Sequence, residues 1–203
     1  MTAISITSRR NWDPVVKLTH WTIAAAVLVN GALTEGGSWP HIWVGYALCA
    51  ILALRLLWGL VGPAEARFSA FPPSPAKAIA HIRDIRAGKN HMEPSHNPLG
   101  ALMVYAIWGT LGVIIATGIT MAGLPPHAAE HHKASARAMV AIASDADEDE
   151  DAGGSAQDSP LKDVHETAAD LLYVLIALHL AGVIFETRRS GRQIVLAMIP
   201  GRR

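Results

Sequence analysis

The chain has 203 residues, 51% of them hydrophobic and 17% charged, with 17 Lys and Arg balancing 17 Asp and Glu. Soluble domains carry about a quarter charged residues, so this chain has more apolar surface than an aqueous fold hides. Zero net charge excludes the basic footprint of a nucleic-acid binder, and a single cysteine, Cys49, excludes an internal disulfide and reads as a small packing residue.

A membrane helix needs about 20 residues at ~1.5 Å each. The first candidate is residues 15–33, entered through WDPVVKLTHW, Trp12 to Trp21. Arg9 and Arg10 precede it, but the run is long for a signal peptide and no small-x-small site follows Leu33, so a retained helix is expected. The loop Thr34–Pro40 is short enough to make the next span, residues 41–61, an antiparallel neighbour. That span holds one charge, Arg55.

The following loop contains Pro72, Pro73 and Pro75, then an amphipathic stretch, Ala76–Ala87, expected to lie along the membrane surface with His81 exposed. His96-Asn97-Pro98 leads into a charge-free span at residues 99–124, with Asn97 as cap and Pro98 as first helical residue. Residues 125–161 form a loop carrying DADEDEDAGGSAQDS, too acidic and Gly/Ser-rich to build a core and expected to be mobile. Its HAAEHHK, with His127, His131 and His132, reads as solvated loop before it reads as a metal site. The fourth span, residues 164–186, carries Glu166 and Asp170, and a basic tail, Arg188–Arg203, is expected as an amphipathic helix on the membrane surface.

The expectation is an all-α integral membrane four-helix bundle in a single domain over residues 1–203. Four spans put both ends on one side. That side collects Arg9, Arg10, Lys17, Arg67, Lys77, Arg83, Arg86, Lys89, Arg188, Arg189, Arg192, Arg202 and Arg203, against Lys133, Arg137 and Lys162 opposite. The asymmetry predicts cytoplasmic termini. The tryptophans, mostly near helix ends, read as interfacial anchors.

Histidines are the chemistry-bearing residues. His20 lies about one turn into the first span, His41 opens the second, and His165 and His179 stand fourteen residues apart on the fourth. Fourteen residues leave two side chains about 40° apart around a helix and ~21 Å apart along it. Matched by depth, His20 pairs with His179 near the inner surface and His41 with His165 near the outer one. Opposed imidazoles from two helices suit a six-coordinate haem iron. Small residues one turn on, Ala24, Gly45, Ala169 and Gly182, leave room for a flat macrocycle. Zinc is the weaker alternative, since the separation along the fourth span forbids one tetrahedral site using all four histidines. Each histidine alone also reads as an interfacial anchor or ordinary hydrogen-bonder.

WDPVVKLTHW, HIWVGYALCAILALRLLWGLVGPAEARF, SHNPLGALM, VHETAADLLYVLIALHLAGVIFE and AMIPGRR together resemble the bacterial cytochrome b561 family, which includes the b-type cytochrome subunit of membrane-bound nickel–iron hydrogenases. The resemblance covers nearly the whole chain except residues 125–161. It implies a multi-pass bacterial inner-membrane cytochrome with two haem b groups, held by His20/His179 and His41/His165, passing electrons between a periplasmic donor and the quinone pool. Arg55 is expected to pair with a haem propionate or to snorkel to the interface. His96, beside the Asn97 cap and near the inner haem, is expected to be part of that structural helix start or to hydrogen-bond a quinone or propionate.

The acidic loop, with Asp145, Asp147, Glu148, Asp149, Glu150 and Asp151, favours a cationic, cytochrome c-like donor over a small anion. A hydrogenase-type partner belongs to the same class. An enzyme oxidising superoxide with quinone, and a haem-free membrane scaffold or transporter, are the competing readings.

Overall fold

A computed structural model describes residues 13–89, 97–123 and 160–199. Those residues form six α-helices: α1 (Pro14–Ala32), α2 (Trp39–Val61), α3 (Pro75–Arg86), α4 (Pro98–Ala122), α5 (Pro160–Ser190) and α6 (Gln193–Met198). Two short 3₁₀ turns, Ala64–Ala66 and Phe68–Ala70, lie between α2 and α3. His96, His127, His131, His132 and the acidic loop lie outside the described residues.

The helix starts are written locally. Proline in the first turn loses no intrahelical bond there, and a preceding Asp, Ser or Asn takes up the orphan N–H groups. Asp13 Oδ1 accepts from the Val15 and Val16 amides at 2.9 and 3.2 Å ahead of Pro14. Ser38 caps α2, Ser74 caps α3, and Asn97 Oδ1 accepts from Gly100 N at 2.7 Å ahead of Pro98. α4 stops at Gly123, whose φ of 77° is one that side-chain-bearing residues avoid.

α1, α2, α4 and α5 are each long and apolar enough to cross a membrane, as the sequence predicts. Only 11% to 22% of the residues in these spans are buried. Leu18, Leu28, Leu33, Leu60 and Val61 stand well exposed, an apolar exterior suited to lipid. The packed centre is small: Leu48 and Leu52 of α2, Leu111 of α4 and Leu172 of α5, with Ile107, Ile115 and Ile176 against them.

α1 and α2 pack as a hairpin, and α4 packs closely with α5 and less extensively with α2. By contrast, α5 makes little backbone approach to α1 or α2. The hairpin is tied at its open end by the Trp58 indole, which donates to Asp13 Oδ1 at 3.0 Å. At the far end of the chain, α6 folds back on α5 and the Trp21 indole donates to the Met198 carbonyl at 2.9 Å.

The structure corrects one expectation. His81 is not a surface residue: it is 8% exposed. The helix that carries it packs against α4, and its buried positions are Ala78 and His81, which share a face one turn apart.

Asp13 thus serves two bonds, the α1 cap and the tie to Trp58. Asp13→Ala is expected to cost about 1–2 kcal/mol, the range for a lost cap. Asp13→Asn keeps an accepting oxygen but removes the charge that acts on buried Arg55, so it recovers only part of the loss. Thermal unfolding of the detergent-extracted protein measures both.

Candidate functional site

The four histidines come together in two pairs. His41, in the first turn of α2, faces His165, in the second turn of α5, with ring centroids 6.3 Å apart. His20, on α1, faces His179, further along α5, again with centroids 6.3 Å apart. The fourteen-residue step from His165 to His179 puts the pairs about 21 Å apart along α5.

The equal spacing is chemically informative. Two metal–imidazole bonds of about 2 Å, with each ring centre roughly 1 Å behind its nitrogen, place centroids about 6 Å apart. The rings are too far apart for a direct N–H···N hydrogen bond and suitably spaced for one metal ion between them. Each pair bridges two helices that otherwise keep their distance.

Space beside the His41/His165 pair is present. An apolar cleft of about 770 Å³, counted to its open mouth, is lined by His41, Gly45, Leu111, Gly118, His165 and Ala169 among others. A Cβ on Gly45 or Gly182 would meet nothing within 4 Å, so both positions predicted to leave room do so. Gly118 has another purpose. A Cβ there would lie 3.3 Å from His165 Cε1, so the bare backbone of α4 lets the imidazole settle against it.

Two hydroxyls hold the rings of this pair. Thr117 Oγ1 of α4 lies 2.9 Å from His165 Nδ1, and Thr34 Oγ1, just beyond α1, lies 3.2 Å from His41 Nδ1. Asn30 supports the second contact: its amide donates to the His41 carbonyl at 3.1 Å, while Thr34 donates to the Asn30 carbonyl at 3.0 Å. Sequence reasoning missed Thr34, Thr117 and Gly118. The signal was faint: a Thr-Gly step in the charge-free run IIATGIT, and a threonine in a short turn.

The other end has a different character. Arg55 is 5% exposed, so it does not snorkel to water. Its guanidinium carbon sits 5.0 Å from the Trp108 ring centre, and Nη1 has no hydrogen-bond partner. Phe68, Phe71, Tyr105 and Trp108 form an aromatic cluster around that contact, with neighbouring ring centres 5.8 to 6.4 Å apart. Gly59 admits Phe68 to it, since a Cβ there would lie 2.5 Å from the phenyl ring. Lys17, one turn before His20, is buried as well, and His81 Nε2 is a second orphaned polar atom. The Asp13 carboxylate already attracts this guanidinium, and the unused Nη1 leaves one donor for a further acceptor.

The prokaryotic cytochrome b561 family model matches residues 11–201. The chain belongs to the prokaryotic cytochrome b561 family. It is a transmembrane b-type cytochrome: it binds b-type haem and transfers electrons. No match was found among curated proteins or among solved structures. The residues present fit such a group. The spacing of each imidazole pair, the apolar cleft beside His41 and His165, and the unused Nη1 donor of Arg55 are compatible with an iron porphyrin that carries carboxylate side chains.

For this cytochrome b561, filling the space at Gly118 should disturb His165 first. Gly118→Val is expected to lower the haem-to-protein ratio of the extracted protein, with the 10- to 100-fold loss of affinity typical when a ligand loses its orientation. A pyridine haemochrome assay against protein concentration measures it, and an unchanged ratio would show that the close approach is dispensable.

Proposed function

We propose that this cytochrome b561 is a dihaem electron carrier of the bacterial inner membrane, linking a periplasmic donor to the quinone pool. In this reading His41 and His165 hold one haem b near the periplasmic surface. His20 and His179 hold the other near the cytoplasmic surface, and both termini are cytoplasmic. The single observation that supports it best is the repetition of one geometry: two imidazole pairs, each with centroids 6.3 Å apart, near opposite ends of the same long helix. When bound, haem b supplies a one-electron couple, and bis-imidazole ligation closes the iron to other ligands.

The chain's own residues do the rest. Each of the four imidazoles faces its partner across the gap between their helices. Arg55, buried beneath Trp108, is placed to neutralise a carboxylate from a propionate near His20 and His179, with Lys17 adding positive charge at that end. The aromatic cluster of Phe68, Phe71, Tyr105 and Trp108 keeps water from that ion pair. His96, beyond the described residues, is assigned to a propionate or a quinone at the same end.

The donor is a basic redox protein of the cytochrome c class, or a hydrogenase-like partner presenting a basic face. The run Asp145–Asp151 puts six carboxylates in the outer loop, and such a field raises the encounter rate of cations and repels small anions.

Ligand assignment has a clear spectroscopic test. His41→Ala and His165→Ala should each remove the same b-type component. His20→Ala and His179→Ala should remove the other. Both components surviving in every single variant would break the assignment.

Donor charge is tested separately. Reduction by a cationic c-type cytochrome should slow as ionic strength rises, because screening shortens the reach of the acidic loop to about 10 Å at 0.1 M salt. A rate that rises with salt points instead to a small anionic reductant such as superoxide.

A further inference from the structure

The two imidazole pairs are held differently. His165 Nδ1 lies 2.9 Å from Thr117 Oγ1 and His41 Nδ1 lies 3.2 Å from Thr34 Oγ1. Among the described residues, no comparable hydroxyl or carbonyl holds a ring nitrogen of His20 or His179. The His20 ring packs edge-on to Trp21 instead, with centroids 5.6 Å apart.

We infer that Thr117 and Thr34 are positioning residues that fix the tautomer of the His41/His165 pair and make the haem iron bound there harder to reduce than the iron at His20/His179. The inference rests on the four histidines being iron ligands.

A threonine hydroxyl has one proton and two lone pairs. Thr117 Oγ1 lies 2.8 Å from the Val113 carbonyl and 3.1 Å from the Ile114 carbonyl, oxygens that can only accept. Its proton goes to them, so its lone pair faces His165 and takes the proton on Nδ1. Thr34 repeats the arrangement. Its proton goes to the Asn30 carbonyl at 3.0 Å or to Asn30 Oδ1 at 3.3 Å, and its lone pair faces His41 Nδ1. The amide of Asn30 is committed to the His41 carbonyl, which turns Oδ1 toward Thr34.

Both rings then carry hydrogen on Nδ1 and a bare Nε2, and Nε2 is left to face the gap. With the opposite tautomer, two N–H groups would point at each other across an apolar cleft.

The same bonds tune the ligand. A ring whose N–H is held by an acceptor is more basic at its other nitrogen and gives more charge to the metal. The ferric state gains most, so the reduction potential falls. The pair without such acceptors keeps the higher potential. An electron entering at His41/His165 therefore has a downhill path toward His20/His179, the direction from periplasmic donor to quinone.

Redox titration of the detergent-extracted full chain, following the two b-type components, tests this. Thr117→Val removes the acceptor and keeps the shape. It should raise the midpoint potential of one component, leave the other in place, and change the ferric low-spin resonance of the shifted component alone. Thr117→Ser restores the hydroxyl and should restore the potential. Both midpoints unmoved in Thr117→Val would overturn the inference. Should that variant lose the component altogether, Thr34→Val decides: an upward shift supports the inference and an unmoved midpoint overturns it. His165→Ala separates the two levels. One component lost there, with Thr→Val midpoints unchanged, sinks the tuning and leaves the ligand assignment standing. Both components retained in His165→Ala sinks the ligand assignment and the tuning with it.

Discussion

An imidazole inside a bilayer has few partners, and leaving it without one costs free energy that apolar neighbours cannot return. The chain sets each of its four intramembrane imidazoles opposite a second one, with ring centres 6.3 Å apart in both pairs, and gives two of them a threonine hydroxyl as well. Much of the fold follows from that requirement. α1 and α2 must run as a hairpin so that one histidine stands near each end. α5 must be long enough to present a partner at both depths, and with 31 residues it is the longest helix described. α4 carries no histidine and no charge. It acts as the buttress, packing along α5 and contributing Leu111 to the core, Thr117 to one ring and bare backbone at Gly118.

The two ends of the bundle solve different electrostatic problems. The groups that hold the His41 and His165 rings are neutral hydroxyls, an amide and helix carbonyls, while the charged Lys162–Glu166 pair beside them stays exposed. At the end with His20 and His179 there are buried cations, Arg55 and Lys17, and a wall of aromatic rings. A neutral hydrogen-bond acceptor acts through the imidazole and tunes the metal. A buried cation attracts an anion and fixes the periphery of whatever carries it. The two ends are therefore not equivalent: one pair of rings is framed by neutral hydrogen-bond partners and the other lies at the end that holds buried charge.

How far the site could be read from sequence follows from which quantities sequence encodes. Apolar runs, Pro-led helix starts and capping residues are local, and they placed the spans and the Asn97-Pro98 start of α4 correctly. Histidine depth needs only helix rise and topology, so the pairs His20/His179 and His41/His165 were legible. Thr117 was not. A threonine inside an apolar helix ordinarily returns its hydroxyl to the carbonyl four residues back, as Thr22, Thr110 and Thr120 do here. Only the rotation of α4 against α5 shows that Thr117 faces a ring as well. The burial of His81 was illegible for the same reason. An amphipathic stretch of twelve residues does not show which of its faces meets a neighbour, and here the buried positions are Ala78 and His81 while Ile79 and Ile82 stay exposed. Arg55 sits between these cases: its depth pointed to an anion, and the stacking on Trp108 that keeps it from water needed coordinates.

The modest core has a consequence for the holoprotein. Lipid chains are as apolar as leucine, so burying Leu48, Leu52, Leu111 and Leu172 against one another gains packing rather than escape from water. α1 pairs with α2 and α4 with α5, and these two halves meet chiefly where α2 touches α4. The histidine pairs lie across the remaining seam, joining α1 to α5 at one depth and α2 to α5 at the other. On the proposed ligation, the metal bonds are therefore the crosslinks that hold the halves together. Binding that acts on the folded state alone adds its free energy to folding. A cytochrome built this way has little need of dense side-chain packing along the seam, and the open space at Gly45 and Gly182 is what that leaves visible in the polypeptide.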